Sequence, residues 1–441
     1  MFDNLLDRQS TMVVLYTLTI FVSASLLFVV QPMVGKMILP HLGGSSNVWT
    51  TCMLFFQSML VVGYVYAHFL ARRVAPKRQV FVHLAIMAVA CAVSLPLGIP
   101  SWLLDTADYP ALSLLLALLA GVGLPLFVVS TSAPLFQRWF SYTDHPDADD
   151  PYYLYSASNM GSMLALLGYP FVVEPTVGLT GQSWGWSAGF AALVVLTAGC
   201  SYLLWQNCRP GAGALDGESS ETDITWPQRG RWVFWAFIPS SLMLGVTRYM
   251  TTDIASMPLL WVLPLAIYLG SFILVFSKRE LWLPPAFRTI IPITVMLMLG
   301  VSVSEAAMSW LIGAHLLTFF LIAMYFHGRM AADRPAKEGL TEFFIWMSVG
   351  GACGGLFNAL IAPTIFNRPL EYTLVLAVAV AAIFPNPDRI EDPFNPNWIV
   401  PLVIAPVAMF YLWMLGFWSL HFLWFLGYAL TAVAVGTAIA I

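Results

Sequence analysis

The chain has 441 residues, 59% of them hydrophobic and 10% charged, with a mean hydropathy of +0.79 and a net charge of −4. Soluble domains carry roughly 25% charged residues, so this chain lacks the polar surface to face water on all sides, and lipid must cover much of it. That excludes a soluble enzyme and a nucleic-acid-binding protein, and it predicts an all-α integral membrane protein.

A helix crosses a bilayer with about 20 apolar residues. In chain order, spans are predicted at 11–32, 48–71, 79–98, 111–134, 152–173, 183–205, 232–251, 255–277, 286–303, 307–326, 341–363, 369–385, 398–416 and 418–440. Met1–Ser10 is polar, with Asp3, Asp7 and Arg8, and no small-residue cleavage site follows the first apolar run. No cleavable signal peptide is expected, and that run stays as a span.

The loops set the orientation. With a cytoplasmic N-terminus, all of the 19 basic residues except Lys36, Arg248 and Arg368 fall on the inside, as the excess of Lys and Arg in cytoplasmic loops requires. Trp102, Trp184, Trp186, Trp398, Trp418 and Trp424 lie near predicted span ends, where an interfacial aromatic belt places them. The expected location is a membrane, crossed many times from a cytoplasmic N-terminus, with the bilayer as partner.

The longest polar stretch, Gln206–Gly230, holds Pro210, Gly211, Gly213, Asp216, Glu218 and Glu221 and reads as a solvated linker. It separates a six-helix bundle at 1–205 from a second at 231–385, a division many transporters share. Two further spans are expected within 386–441, beyond the polar segment Pro385–Asn397. The chain stops at Ile441 inside an apolar run, which reads as a cut terminus or the place where another domain begins. The bundles echo each other. Ser158–Pro175 (SNMGSMLALLGYPFVVEP) and Ser348–Pro363 (SVGGACGGLFNALIAP) are both rich in small residues and end at proline, and FVSASLLF from Phe21 pairs with FIPSSLML from Phe237.

Three stretches carry a family resemblance: Phe21–Arg73, Ser240–Phe276 and His327–Pro363. They resemble the membrane domain of bacterial proteins that fuse a transporter-like domain to a spermidine-synthase-like domain. The resemblance implies a major-facilitator-like helical bundle, and in many members a soluble aminopropyltransferase-like domain that binds decarboxylated S-adenosylmethionine. This chain departs from that pattern. It contains no strand–GxGxG–helix unit, and Arg329 stands where the family has a glutamate, so no synthase activity or cofactor transfers to it. Gly350, Gly351, Gly354 and Gly355 sit in a predicted span, where small residues allow close helix contact.

Ionisable groups in or beside spans are costly and are functional candidates by default. Lys36 (after Gln31 in the first span), Glu174, Arg248 and Asp253 gather toward the non-cytoplasmic ends, and their charges balance as Lys36–Glu174 and Arg248–Asp253. They read either as a gate or binding cluster or as ion pairs that fix helix ends. Asn159 and Asn358 lie in the two echoing spans and would face a central cavity or bond a neighbouring helix. Gln57, Ser130, Thr131 and Ser132 are weaker candidates of the same kind. His315 is expected to be packed and hydrogen-bonded. His327, Arg329, Arg334 and Lys337 are assigned to a cytoplasmic loop, and Asp144, Asp147, Asp149 and Asp150 to a solvated acidic one.

No CxxC, His/Cys metal spacing, nucleophile–base pair or cofactor loop occurs. The expected function is transport of a small polar or cationic, polyamine-like solute, although Glu174, Asp253 and Glu305 all lie near one face rather than deep in a cavity. The alternative is a non-transporting scaffold or anchor for an enzyme or other membrane subunits.

Overall fold

Proline, glycine and short polar breaks punctuate the apolar runs, and several helices begin or end at them, while others run through an interior proline. The computed structural model describes residues 2–43, 46–104, 110–209, 224–251, 262–277, 290–295, 297–298, 308–366 and 370–383. Among these the regular structure is helical, apart from an isolated bridge between Thr143 and Cys208.

The long elements are α1 (Phe2–Leu42), α2 (Ser46–Arg73), α3 (Pro76–Ser94), α4 (Pro110–Leu118), α5 (Leu124–Ser141), α6 (Leu154–Gly168), the short α7 (Glu174–Thr176), and α8 (Leu179–Asn207). After the linker come α9 (Trp226–Tyr249), α10 (Val262–Val275), α11 (Met308–Ala332), α12 (Leu340–Leu356), the short α13 (Ala362–Ile365), and α14 (Leu370–Ile383). Among the described residues, seven helical segments are long and apolar enough to cross a membrane. The predicted spans at 398–416 and 418–440 and most of 286–303 lie outside the described residues.

Starts follow local chemistry. Pro76 opens α3, where its missing N–H costs nothing. Thr225 caps α9 by accepting from the Gln228 N–H at 3.4 Å, with Pro227 in the first turn. The first span was expected to end at residue 32, but α1 runs through Pro32 and Pro40 to Leu42, so Lys36 lies within the helix. A proline frees one carbonyl per site, a loss that neighbouring helices can offset inside a bundle. At the other edge, α11 continues six residues past its predicted end at 326. His327 and Arg329 are therefore helical rather than in a loop, and His327 is buried, stacked on Phe272 and hydrogen-bonded with the Ser271 hydroxyl at 2.8 Å.

Two long elements break in the same way. A π-helical turn, Tyr169–Val173, joins α6 to α7, and another, Phe357–Ile361, joins α12 to α13. Each is followed by a Pro-Thr pair, Pro175–Thr176 and Pro363–Thr364. These are the two segments whose sequences echo. A third π turn, Leu119–Gly123, joins α4 to α5.

Packing repeats as well. α1 packs most extensively on α6, and α9 on α12. In the first pair the Ser25 hydroxyl donates to the Gly161 carbonyl at 3.2 Å; in the second, Ser240 donates to Gly351 at 2.8 Å. A Cβ at Gly161 would overlap the Phe21 carbonyl, and one at Gly350 would overlap that of Val233, so both contacts need a residue without a side chain. Phe81, Val93, Leu116, Phe171, Val195 and Trp310 are exposed on the outer faces, as lipid-facing positions require. Trp184 and Trp102 are exposed near helix ends, but Trp186 leaves the predicted belt. It is buried and donates to the Leu26 carbonyl at 2.9 Å.

Candidate functional site

The helices α1–α8 and α9–α14 meet along α2–α12 and α6–α10. The two ends of this seam differ in chemistry.

At one end lie residues 142–153, between α5 and α6, and 333–339, between α11 and α12. Asp149 accepts hydrogen bonds from Lys337 Nζ and from Arg209 Nη1 (the latter at 3.0 Å), and Arg334 Nη2 donates to Asp150 Oδ2 at 2.7 Å. The buried Arg138 donates to the Lys337 carbonyl at 2.6 Å, and the Tyr152 hydroxyl donates to that of Pro335 at 3.0 Å. The hydrogen bonds from Lys337 and then Arg209 hold the Asp149 carboxyl below its ordinary value. The acidic loop is thus not merely solvated: two of its carboxylates pair with cations of the other helix group. Beneath this rim, rings fill the seam. Tyr155 lies 5.0 Å from Phe344 and 5.5 Å from Phe272, Tyr152 lies 5.7 Å from Phe343, and Tyr64 lies 6.0 Å from Phe344. His68 Nδ1 on α2 hydrogen-bonds with the Thr341 hydroxyl at 2.9 Å. This end is closed.

Toward the other end a cavity of about 180 Å³ opens between α2 on one side and α9, α12 and the Phe357–Ile361 turn on the other. Met53, Leu54, Leu244 and Leu356 supply apolar walls; Gln57, Arg248 and Asn358 supply the polar groups. Asn358 Nδ2 donates to Ser241 Oγ at 2.6 Å and to the Gly354 carbonyl at 2.9 Å, which uses both its hydrogens and leaves Oδ1 as an acceptor. The Gln57 amide lies flat on Gly355, where a Cβ would collide with it. Arg248 Nη1 donates to Glu371 Oε1 at 2.7 Å.

Several candidates read from the sequence end up apart. Lys36 and Glu174 do form an ion pair, near the cavity end but within the first helix group, with both side chains more than a third exposed. Gln31 bonds its own helix, donating to the Leu27 carbonyl at 3.3 Å. Asn159 is buried and donates to the Tyr155 carbonyl at 2.8 Å, so it does not join Asn358. Ser130 and Thr131 bond their own backbone, and Ser132 accepts from Ser23 Oγ at 2.7 Å. His315 Nδ1 pairs with the Tyr372 hydroxyl at 2.9 Å. Asp253 lies outside the described residues. The observed partner of Arg248 is Glu371, which the sequence reading passed over although a carboxylate in the first turn of an apolar helix is a clear signal. Among the described residues, no group of His, Cys, Asp and Glu side chains could hold a metal ion.

No protein-family model matches this chain, and no curated protein matches it. Solved structures do. A bacterial homologue of the iron transporter ferroportin, in an outward-facing state, superposes over 89% of this chain and 98% of its own with a TM-score of 0.57 and 13% identity. The chain has a major-facilitator-like fold. The human organic anion transporter MFSD10 matches 85% of this chain and 99% of its own at TM-score 0.54 and 12% identity. The major facilitator superfamily proton:xylose symporter XylE matches 86% of this chain and 94% of its own at TM-score 0.52 and 11% identity. The fold is what is shared at these identities, and the chain is accordingly a multi-pass membrane protein.

Proposed function

We propose that this chain is a transporter of a small polar solute, built as two six-helix bundles on either side of the 206–230 linker, with two further spans after residue 385. The observation that carries this reading is the asymmetry of the seam. One end is closed by cross-bundle ion pairs and rings, while the other holds a mostly apolar cavity between the bundles that Gln57, Arg248 and Asn358 furnish with polar groups. A protein that only anchored a partner would need neither. The matching π turns and the matched Ser–Gly contacts support a duplicated design.

The bias of basic residues assigns the closed end to the cytoplasm and the cavity to the outside, in a bacterial inner membrane. The three solved structures named above are, respectively, a homologue of an iron transporter, an organic anion transporter and a proton:xylose symporter, so the cargo of this chain rests on its own lining. A polyamine-like cation, as the fused-family resemblance suggests, would meet Arg248, and among the described lining residues no carboxylate faces it. The lining thus weighs against a polycation, and the family assignment itself stays a proposal resting on the three sequence stretches.

The test is uptake by proteoliposomes holding the full chain, with labelled succinate, glucose and putrescine offered in parallel. Saturable uptake of one class supports transport. Flux equal to that of empty liposomes for all three would turn the reading to a scaffold.

A further inference from the structure

We propose that Arg248 anchors a small carboxylate-bearing solute, and that Glu371 holds this anchor internally until the solute displaces it. This deepens the transport reading and rests on it.

The lining has one charged side chain, Arg248, among the described residues. Its guanidinium has five N–H donors in a planar fork that suits a carboxylate. One contact is spent, Nη1 to Glu371 Oε1 at 2.7 Å. Two parallel bonds are the strong arrangement for this pair, and it is not made. Glu371 Oε2 is buried and has no hydrogen-bond partner. The two partners also differ in position. The Arg248 side chain is 45% exposed and that of Glu371 1%, so the cation reaches into the cavity while the anion stays behind the wall, in the first turn of α14 where the helix dipole favours it. A solute carboxylate can therefore approach the free edge of the guanidinium, whereas an ammonium meets the cation first.

Neutral polar groups complete the site. Gln57 makes no hydrogen bond to the protein among the described residues, so its amide is free to donate and accept. Asn358 keeps only its acceptor. A carboxylate on Arg248 with a hydroxyl or amide between Gln57 and Asn358 uses each group once. At about 180 Å³ the cavity is smaller than typical drug-sized pockets of about 300–1,000 Å³, which fits a compact organic acid. Glu371 competes with that acid for the same guanidinium, so weakening Glu371 should strengthen binding.

Calorimetry on the purified full chain in nanodiscs tests this, with lactate, succinate and citrate as probes and glucose and putrescine as comparators. We expect saturable binding of a carboxylate, about a hundredfold loss in Arg248→Gln, partial retention in Arg248→Lys, and about tenfold tighter binding in Glu371→Gln. Arg248→Gln alone leaves a buried carboxylate unpaired and threatens folding. The Arg248→Gln/Glu371→Gln double variant removes that problem, and it should unfold at the wild-type temperature yet fail to bind. Weaker binding in Glu371→Gln, or no carboxylate binding to either wild type or Glu371→Gln, overturns the proposal. If glucose or putrescine is then still taken up by proteoliposomes, the anion assignment falls and transport stands. If no class is bound or taken up, both fall.

Discussion

At the closed end, α1–α8 and α9–α14 meet through rings backed by a rim of ion pairs; at the opposite end they part around a cavity whose lining, among the described residues, holds a single charge. The closed end layers two kinds of contact. Rings in the seam, worth about 0.5–1.5 kcal/mol per pair beyond their burial, provide closure that does not depend on charge. The rim pairs Asp149–Lys337 and Asp150–Arg334 are largely solvated, and such pairs contribute about 0–1 kcal/mol each. Closure built this way is stable and still reversible. Toward the cavity end the groups touch through apolar side chains, Leu166 with Val262 and Leu269, and the Arg248–Glu371 pair on the cavity wall lies within the second group.

The comparison breaks most severely if the rings are removed. Phe344→Ala, at a fully buried site, should cost about 3 kcal/mol, while Leu54→Ala on the cavity wall should cost well under 1 kcal/mol. Thermal unfolding of the purified variants checks this, and equal costs would mean the seam is not a packed core. Next in size, Asp149→Lys/Asp150→Lys turns two attractions into repulsions, for about 1–2 kcal/mol against the closed state. Adding Lys337→Asp/Arg334→Asp should restore it, and no rescue would show that the pairs are incidental. Thr341→Val removes the partner of His68 and should cost about 1 kcal/mol, with Thr341→Ser close to wild type by the same melting assay.

The smallest effect is pH. The Asp149 carboxyl is held below its ordinary value by Lys337 and Arg209. A group depressed on folding stabilises the fold above its unfolded value and loses that contribution as pH falls through the folded one. Closure should therefore be flat from pH 5 to 8 and loosen only below about pH 4. A loosening centred near pH 6, seen as faster proteolysis within 142–153, would contradict this.

The helical, multi-pass membrane fold was legible because apolar length is a local signal, and the echo at 158–175 and 348–363 became a matched pair of broken helices. The Lys36–Glu174 pair was also legible, since both residues were expected at the same membrane face. Helix edges were not. Pro32 and Pro40 look like stops in sequence, but packing carries α1 through them. Cross-bundle partners were hidden for a different reason. Asp149 and Lys337, or Asp150 and Arg334, are separated by 188 and 184 positions, and each looks complete beside its own neighbours; Arg248 and Glu371, within the second group, are still 123 apart. Asp253, five residues on, is the partner the sequence offers for Arg248 and lies outside the described residues; the buried carboxylate at 371 needed the fold to bring it there.

The most direct test of the two-ended account is pulsed EPR in liposomes, with spin labels at residues 146 and 336 across the closed end and at 48 and 366 across the cavity end. In the Asp149→Lys/Asp150→Lys variant the account predicts a longer 146–336 distance together with a shorter 48–366 distance. Two unchanged distances would contradict it and leave a rigid scaffold.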